Sequence, residues 1–432
     1  VDRVDDLATP TSPGDGSSAD GGSATGDSTL TARSGVAVIG AMVVGNAANY
    51  GFQIVSGRML GAAEYGMLAG LLAAMTVITI SSTSVQASVA RTIAAGDVVP
   101  FERHRRLDRM TRSTLGLAAA LGLAVALLSP LLGPRLNSGI VPVLVLGAYF
   151  LPSALDSIAT GRFQGLHAFG AMSWYTATQA LVKLPVLVVM IAVGLRATGI
   201  VAGLAVATGV VALVGLHRTR AGGAVDRHVF GSDVRRNFAA YTLFWMIVST
   251  DVPFARSMFE SKSAGVYAAA AVLGKGVLWV PLVFANIVLP LLAKRAAASA
   301  GVVRVLAVAL GLAVAVSLVG VAGLYLLGES LFRVLYGEEF AEAGALAWKI
   351  GLAMVPFALL NITLQYHIVR ERNLIILWLL LGAVGQGLAL RLGPQNGSAY
   401  ALRMAVTGVV LLVASAPWLH LLRRRAAIQP TA

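Results

Sequence analysis

From residue 34 onward the chain repeats one pattern, a run of roughly 18 to 25 mostly uncharged residues followed by a short polar or basic break. The runs lie near 34–56, 66–90, 113–133, 138–158, 172–194, 197–217, 237–257, 264–293, 305–327, 345–368, 374–391 and 399–422. At about 1.5 Å of rise per residue, each is long enough as a helix to cross the roughly 30 Å hydrocarbon core of a bilayer. Barrel strands would be about half as long and would alternate apolar with polar residues. Backbone polar groups at that depth must be satisfied within the segment. The pattern therefore predicts an all-α integral membrane protein of about twelve transmembrane helices.

Residues 1–33 break the pattern. They are rich in Gly, Ser, Thr and Asp, with too few large apolar side chains to form a core, and are expected to be a disordered tail. Their aspartates are unlike the short basic leader of a secretory signal, so the first apolar segment is expected to be retained. Lysine and arginine gather in alternate breaks, notably Arg91, Arg103, Arg105, Arg106, Arg109 and Arg112, then Arg218, Arg220, Arg227, Arg235 and Arg236. The positive-inside rule puts these breaks and both termini in the cytoplasm of a multi-pass protein of the inner (plasma) membrane. The longest basic break, 218–236, divides two six-helix lobes, 34–217 and 237–422, with 423–432 as a short cytoplasmic tail. The lobes echo each other: Arg58 ends one helix and Glu64–Tyr65–Gly66 opens the next, while Arg256 ends another and Gly265–Val266–Tyr267 opens its successor. An even number of spans per lobe makes this a parallel repeat, the kind that builds a central site between its halves.

Composition supports the solvent assignment, since apolar residues make up 57% of the chain and charged residues only 12%, against about 25% in soluble domains. It also changes the meaning of the +13 net charge, which serves membrane orientation here and gives no argument for nucleic acid. With no cysteine, thiolate metal sites, disulfides and cysteine nucleophiles are excluded. The histidines have no metal-ligand spacing and no phosphate-cradling G-x-x-x-x-G-K-[ST] loop occurs, so no cofactor is expected.

Candidate chemistry lies within the apolar runs. Asn46, Asn49, Tyr50 and Gln53 share one helical face, as do Thr79, Ser82, Thr83 and Gln86, and Thr176, Gln179 and Lys183. Such stripes either bond neighbouring helices or line a hydrated cavity, because amides facing lipid are costly. Lys183 and Lys275 fall near the midplane, about 15 Å from either interface, too deep to reach it by snorkelling. Asp156 lies near the cytoplasmic edge. Asp251, in a helix interrupted by Pro253, is a candidate counter-ion to one of these lysines or an ion-coupling residue. The four glutamates between Glu329 and Glu342 read as a solvated outer loop.

Four segments, GRMLGAAEYGMLAGLLAAM (57–75), TGRFQGLHAFG (160–170), STDVPFARSMFESKSAGVYAAAAVLGK (249–275) and RVLYGEEFAEAGALAWKIGLAM (333–354), resemble Wzx-type oligosaccharide-lipid flippases. These polysaccharide-export proteins belong to the superfamily that also holds multidrug extruders and peptidoglycan-precursor flippases. The resemblance is spread over about 34–422 without one diagnostic motif. It implies a six-plus-six bundle around a central cavity that moves polyprenyl-diphosphate-linked oligosaccharide to the outer leaflet for surface polysaccharide biosynthesis. It also implies cavity cations, for which Arg58, Lys183, Arg256 and Lys275 are the positions present. The expected partners are the lipid-linked glycan, the bilayer and other polysaccharide-assembly proteins.

The alternative is a cation-coupled drug or metabolite antiporter of the same superfamily, which would want carboxylates where this chain offers two midplane lysines. A peptidoglycan-precursor flippase usually has two further helices. An enzyme acting on lipid-linked sugars would need a large outer loop, and the outer breaks are short, so no enzymatic activity is expected.

Overall fold

The computed structural model describes residues 23–94, 100–135, 138–219, 233–296, 302–369 and 374–426. Thirteen helices follow in order: α1 Ser23–Ala94, α2 Pro100–Leu127, α3 Ser129–Arg135, α4 Ile140–Gly165, α5 Phe169–Ala192, α6 Ala197–Arg218, α7 Asp233–Ser249, α8 Asp251–Met258, α9 Ser261–Ala296, α10 Val302–Leu335, α11 Ala341–Val369, α12 Leu374–Leu392 and α13 Gly397–Ala426. Each of the twelve apolar runs lies on one or two of these helices. Nine helical stretches among the described residues are long and apolar enough to cross a membrane. This is an all-α, multi-pass membrane protein. Of the basic linker, 220–232 lies outside the described residues, as does 1–22 of the tail.

Three features differ from the expected layout. First, α1 begins at Ser23, inside the stretch read as a disordered tail, because extending a helix costs far less than starting one. Second, α1 combines two predicted spans across Gly61, whose φ of 72° is open to glycine and strained for other residues. The chain reverses there, since Tyr65 Oη donates to Gln53 Oε1 at 3.1 Å although the two residues are 12 positions apart. Third, the seventh run is split at Thr250 into α7 and α8. Gln386 Nε2 on α12 donates at 2.6 Å to the Ile247 carbonyl, the group that the Asp251 N–H would engage in an unbroken helix.

Separate cores hold the two halves. In the first, Phe52, Leu68, Leu71, Leu146, Leu187 and Leu204 pack where both limbs of α1 meet α4, α5 and α6. In the second, Phe244, Leu278, Met354, Phe357, Leu379 and Met404 join α7, α9, α11, α12 and α13. Outward-facing positions such as Val206, Val319, Leu326, Leu392 and Leu402 are exposed and apolar, as a lipid-facing exterior requires.

Between the halves runs a third cluster, with Tyr65, Ala69, Phe259, Tyr267, Phe332, Tyr336 and Phe340. Helix alternation puts the α1 reversal and the α8–α9, α10–α11 and α12–α13 turns at one end of the bundle, here the kink end. The two halves close on each other there.

Candidate functional site

Helix α1 positions the site through consecutive residues that face different neighbours. Asn49 Oδ1 accepts from Lys183 Nζ on α5 at 2.7 Å. The next residue, Tyr50, reaches α9, where its hydroxyl stands 3.1 Å from the place a side chain on Gly276 would occupy. Gly276 adjoins Lys275. One turn of α1 therefore meets the α5 lysine at Asn49 and helix α9 at Tyr50.

The two ammonium groups differ in their surroundings. Lys275 Nζ is 2.5 Å from Asp251 Oδ1, and Tyr267 Oη donates to Asp251 Oδ2 at 2.8 Å. Asp251 is fully buried, and the Lys275 side chain retains 16% of its exposure. Because α8 starts at Asp251, the carboxylate also sits in the first turn of a helix, where negative charge is favoured. Lys183, in contrast, bonds to a neutral amide. Its electrostatic partner is Asp156, whose Oδ1 accepts from Tyr175 Oη at 2.6 Å and Gln179 Nε2 at 2.9 Å. Lys183 thus has a neutral contact where Lys275 has a carboxylate.

The other expected site residues are dispersed. Asn46 is exposed. Gln53 is taken up by Tyr65. Thr79 Oγ1 lies 3.1 Å from Tyr149 Oη, and Gln86 Nε2 donates to Gln164 Oε1 at 3.2 Å. This stripe on the second limb of α1 joins it to α4, as interhelical bonding requires. The Thr83 side chain lies outside the described residues.

The two arginines expected among the cavity cations are engaged at the kink end instead. Arg58 Nη1 donates at 2.6 Å to the Val334 carbonyl in the last turn of α10, a helix end with orphan carbonyls. Arg256 is buried against Gly70 and donates to Ser261 Oγ at 3.1 Å. Long charged side chains near helix ends find backbone acceptors and turn hydroxyls before they find each other.

These arginines are part of a seal. Glu339 Oε2 accepts the Ala62 N–H at 3.0 Å, just past the Gly61 reversal. A side chain on Gly66 would come within 2.8 Å of the Gly265 nitrogen, and one on Gly265 would collide with the Ala62 carbonyl. The two segments that echo each other in sequence thus face each other across the seal. Sequence reasoning missed Glu339, reading 329–342 as a solvated loop. Most of that stretch is helical, and Glu329 and Glu338 pair with Arg333 at 3.0 and 2.9 Å. Gln386 was also missed, although a lone amide in the apolar run LLLGAVGQGLAL was a visible signal.

A cavity of about 740 Å³ opens at the kink end of the second half, between the α8–α9 turn, α11 and the α12–α13 turn. Neither midplane lysine lines it, so it is not the expected central cavity. Among the described residues no group of His, Asp and Glu could hold a metal ion.

No protein-family model matches the sequence, and no curated protein matches it either. Solved structures do. The lipid II flippase MurJ in an inward closed conformation superposes with a TM-score of 0.68 at 11% identity, covering 89% of this chain and 87% of MurJ. A MATE multidrug transporter of the MOP superfamily, inward-facing, superposes at 0.63 and 12% identity over 89% of this chain and 96% of its own. This chain has the fold of the MOP-superfamily transporters. An outward-facing MATE structure gives 0.51 at 13% identity, over 92% and 96%. Within this fold, Lys183 meets α1 inside the first half, Lys275 meets Asp251 inside the second, and the arginines lie at one closed end.

Proposed function

We propose that this protein is a flippase that carries polyprenyl-diphosphate-linked oligosaccharide from the cytoplasmic to the outer leaflet by alternating access. The observation that carries the reading is the pair of lysines within the apolar helices, Lys183 held by the neutral Asn49 amide of α1 and Lys275 by Asp251. A diphosphate needs cations in a hydrated cleft. Lys183, with its neutral contact, supplies one, and Lys275 a second that exchanges Asp251 for the headgroup. A MATE-like carrier of organic cations would need the opposite polarity. The MurJ likeness supports a lipid-linked cargo, since that neighbour is itself named a lipid II flippase.

Basic breaks toward the cytoplasm orient the kink end outward in the inner membrane. The seal at Gly66 and Gly265 then closes the outer side, and the state described is one that loads from inside. At about 2.3 kcal/mol per charge per 100 mV, a headgroup of charge about −2 gains roughly 4–5 kcal/mol per 100 mV on moving outward across an inside-negative membrane. The potential therefore suffices to drive export.

The test is the leaflet distribution of diphosphate-linked glycan in a strain lacking the gene, read by enzyme accessibility from outside and mass spectrometry. Inner-leaflet accumulation reversed by the intact gene is expected. An unchanged pool together with lost resistance to cationic dyes would replace this reading with the antiporter.

A further inference from the structure

The 740 Å³ cavity at the kink end is walled by Glu260 and Lys262 from the α8–α9 turn and the start of α9, and by Glu342 and Lys349 from α11. Ser263, Asn396 and Ser398 add neutral polar groups to the wall, with the buried Phe259 and Tyr267 behind it. The charges balance in sign, so the cavity favours neither a bare anion nor a bare cation. Donors and acceptors mixed in this way suit a polyhydroxylated ligand, whose hydroxyls both donate and accept. The volume is in the usual range for small-molecule sites, which run to roughly 300–1,000 Å³. The rigidity is that of helix ends: Tyr267 and Phe259 pack edge to face with centroids 5.7 Å apart, and Lys349 Nζ donates to Ser398 Oγ at 2.9 Å across the cavity wall.

We infer that this cavity is a saccharide-binding vestibule, separate from the path between the lobes, which holds part of the glycan on the outer side. The inference rests on the proposed function for its ligand and its sidedness. The buried Tyr267, which donates to Asp251, stands between the vestibule and the ion pair of Asp251 with Lys275.

The natural chain has no cysteine, so a single introduced thiol gives a site-specific reporter. Ala345, an exposed residue of the cavity wall, is replaced by cysteine and labelled with an environment-sensitive fluorophore in the full-length protein in nanodiscs. The probe is the free oligosaccharide released by mild acid from the strain's total diphosphate-linked lipid, which lacks the diphosphate. A saturable signal is expected, weakened at least tenfold by Glu342→Gln with Lys349→Ala and unchanged by Lys183→Ala. Unchanged size-exclusion profiles and an unchanged melting temperature show that the variants are folded. If they are not, Lys349→Met alone provides the comparison. No saturable signal, or a signal lost equally in Lys183→Ala, overturns the vestibule. The leaflet assay is independent of this result, so flipping can stand while the vestibule falls, and the reverse.

Discussion

Replacing Lys275 with methionine removes the ammonium and keeps most of the packing volume. It leaves Asp251, fully buried, with Tyr267 Oη at 2.8 Å as its remaining partner among those described here. Removing one member of a buried ion pair costs about 3–5 kcal/mol, because the other charge is left uncompensated. The reciprocal change, Asp251→Asn, is milder: it leaves the charge on a side chain with 16% exposure that water can reach, at a cost of about 1–3 kcal/mol. The double variant Lys275→Met with Asp251→Asn buries no charge and recovers most of the loss, as such replacements are often neutral or stabilising. Stability is read from thermal and denaturant unfolding in detergent, and export from surface polysaccharide in a complemented deletion strain. The double variant separates two roles. It is expected to be close to the wild type in stability and still defective in export, because the headgroup has lost a cation. Normal export by the double variant would show that Lys275 serves the fold alone. Wild-type stability of Lys275→Met would refute the burial argument itself.

Further outcomes follow from the same geometry. Lys183→Ala should abolish export with correct insertion, whereas Thr79→Val, which loses one interhelical hydrogen bond worth about 1 kcal/mol, should export normally; radiolabelled glycan at the surface compares them. Gly265→Ala drives a methyl group into the Ala62 carbonyl and should destabilise the sealed state by about 1–3 kcal/mol, seen as raised reactivity of a single cysteine at Ala69 toward an impermeant maleimide. Arg58→Ala with Glu339→Ala removes two polar contacts across the seal, each worth about 1 kcal/mol, and should raise that reactivity by roughly 30-fold; no change would remove them from the seal.

The sequence carried the spans well because hydrocarbon imposes one rule on every segment: about 20 apolar residues in a helix. Where the runs of 172–194 and 197–217 stand, α5 and α6 follow within a few residues. Local backbone events were less legible. Gly61 sits among Leu60, Ala62 and Ala63, and nothing in that composition distinguishes a full reversal from a kink. The intramembrane charges stood out by their cost, yet their partners did not. Asp251 and Lys275 are 24 positions apart and meet only because α8 and α9 double back at Phe259, and Asn49 meets Lys183 across 134 positions. Arg58 was a candidate cavity cation through the family resemblance, which carries no information about the carbonyl that the end of α10 offers it at 2.6 Å. The polar stripe through Thr79 and Gln86 is a case where spacing identifies a face but not what that face meets.

The most direct test is reconstitution. Purified protein in proteoliposomes, loaded with polyprenyl-diphosphate-linked oligosaccharide on one leaflet and energised by a diffusion potential, is assayed by the fraction of glycan open to an enzyme on the far side. Transfer that depends on the potential, with its sign, and that is lost in Lys183→Ala is the predicted result. An accessible fraction that the intact protein leaves at the level of empty liposomes would contradict it.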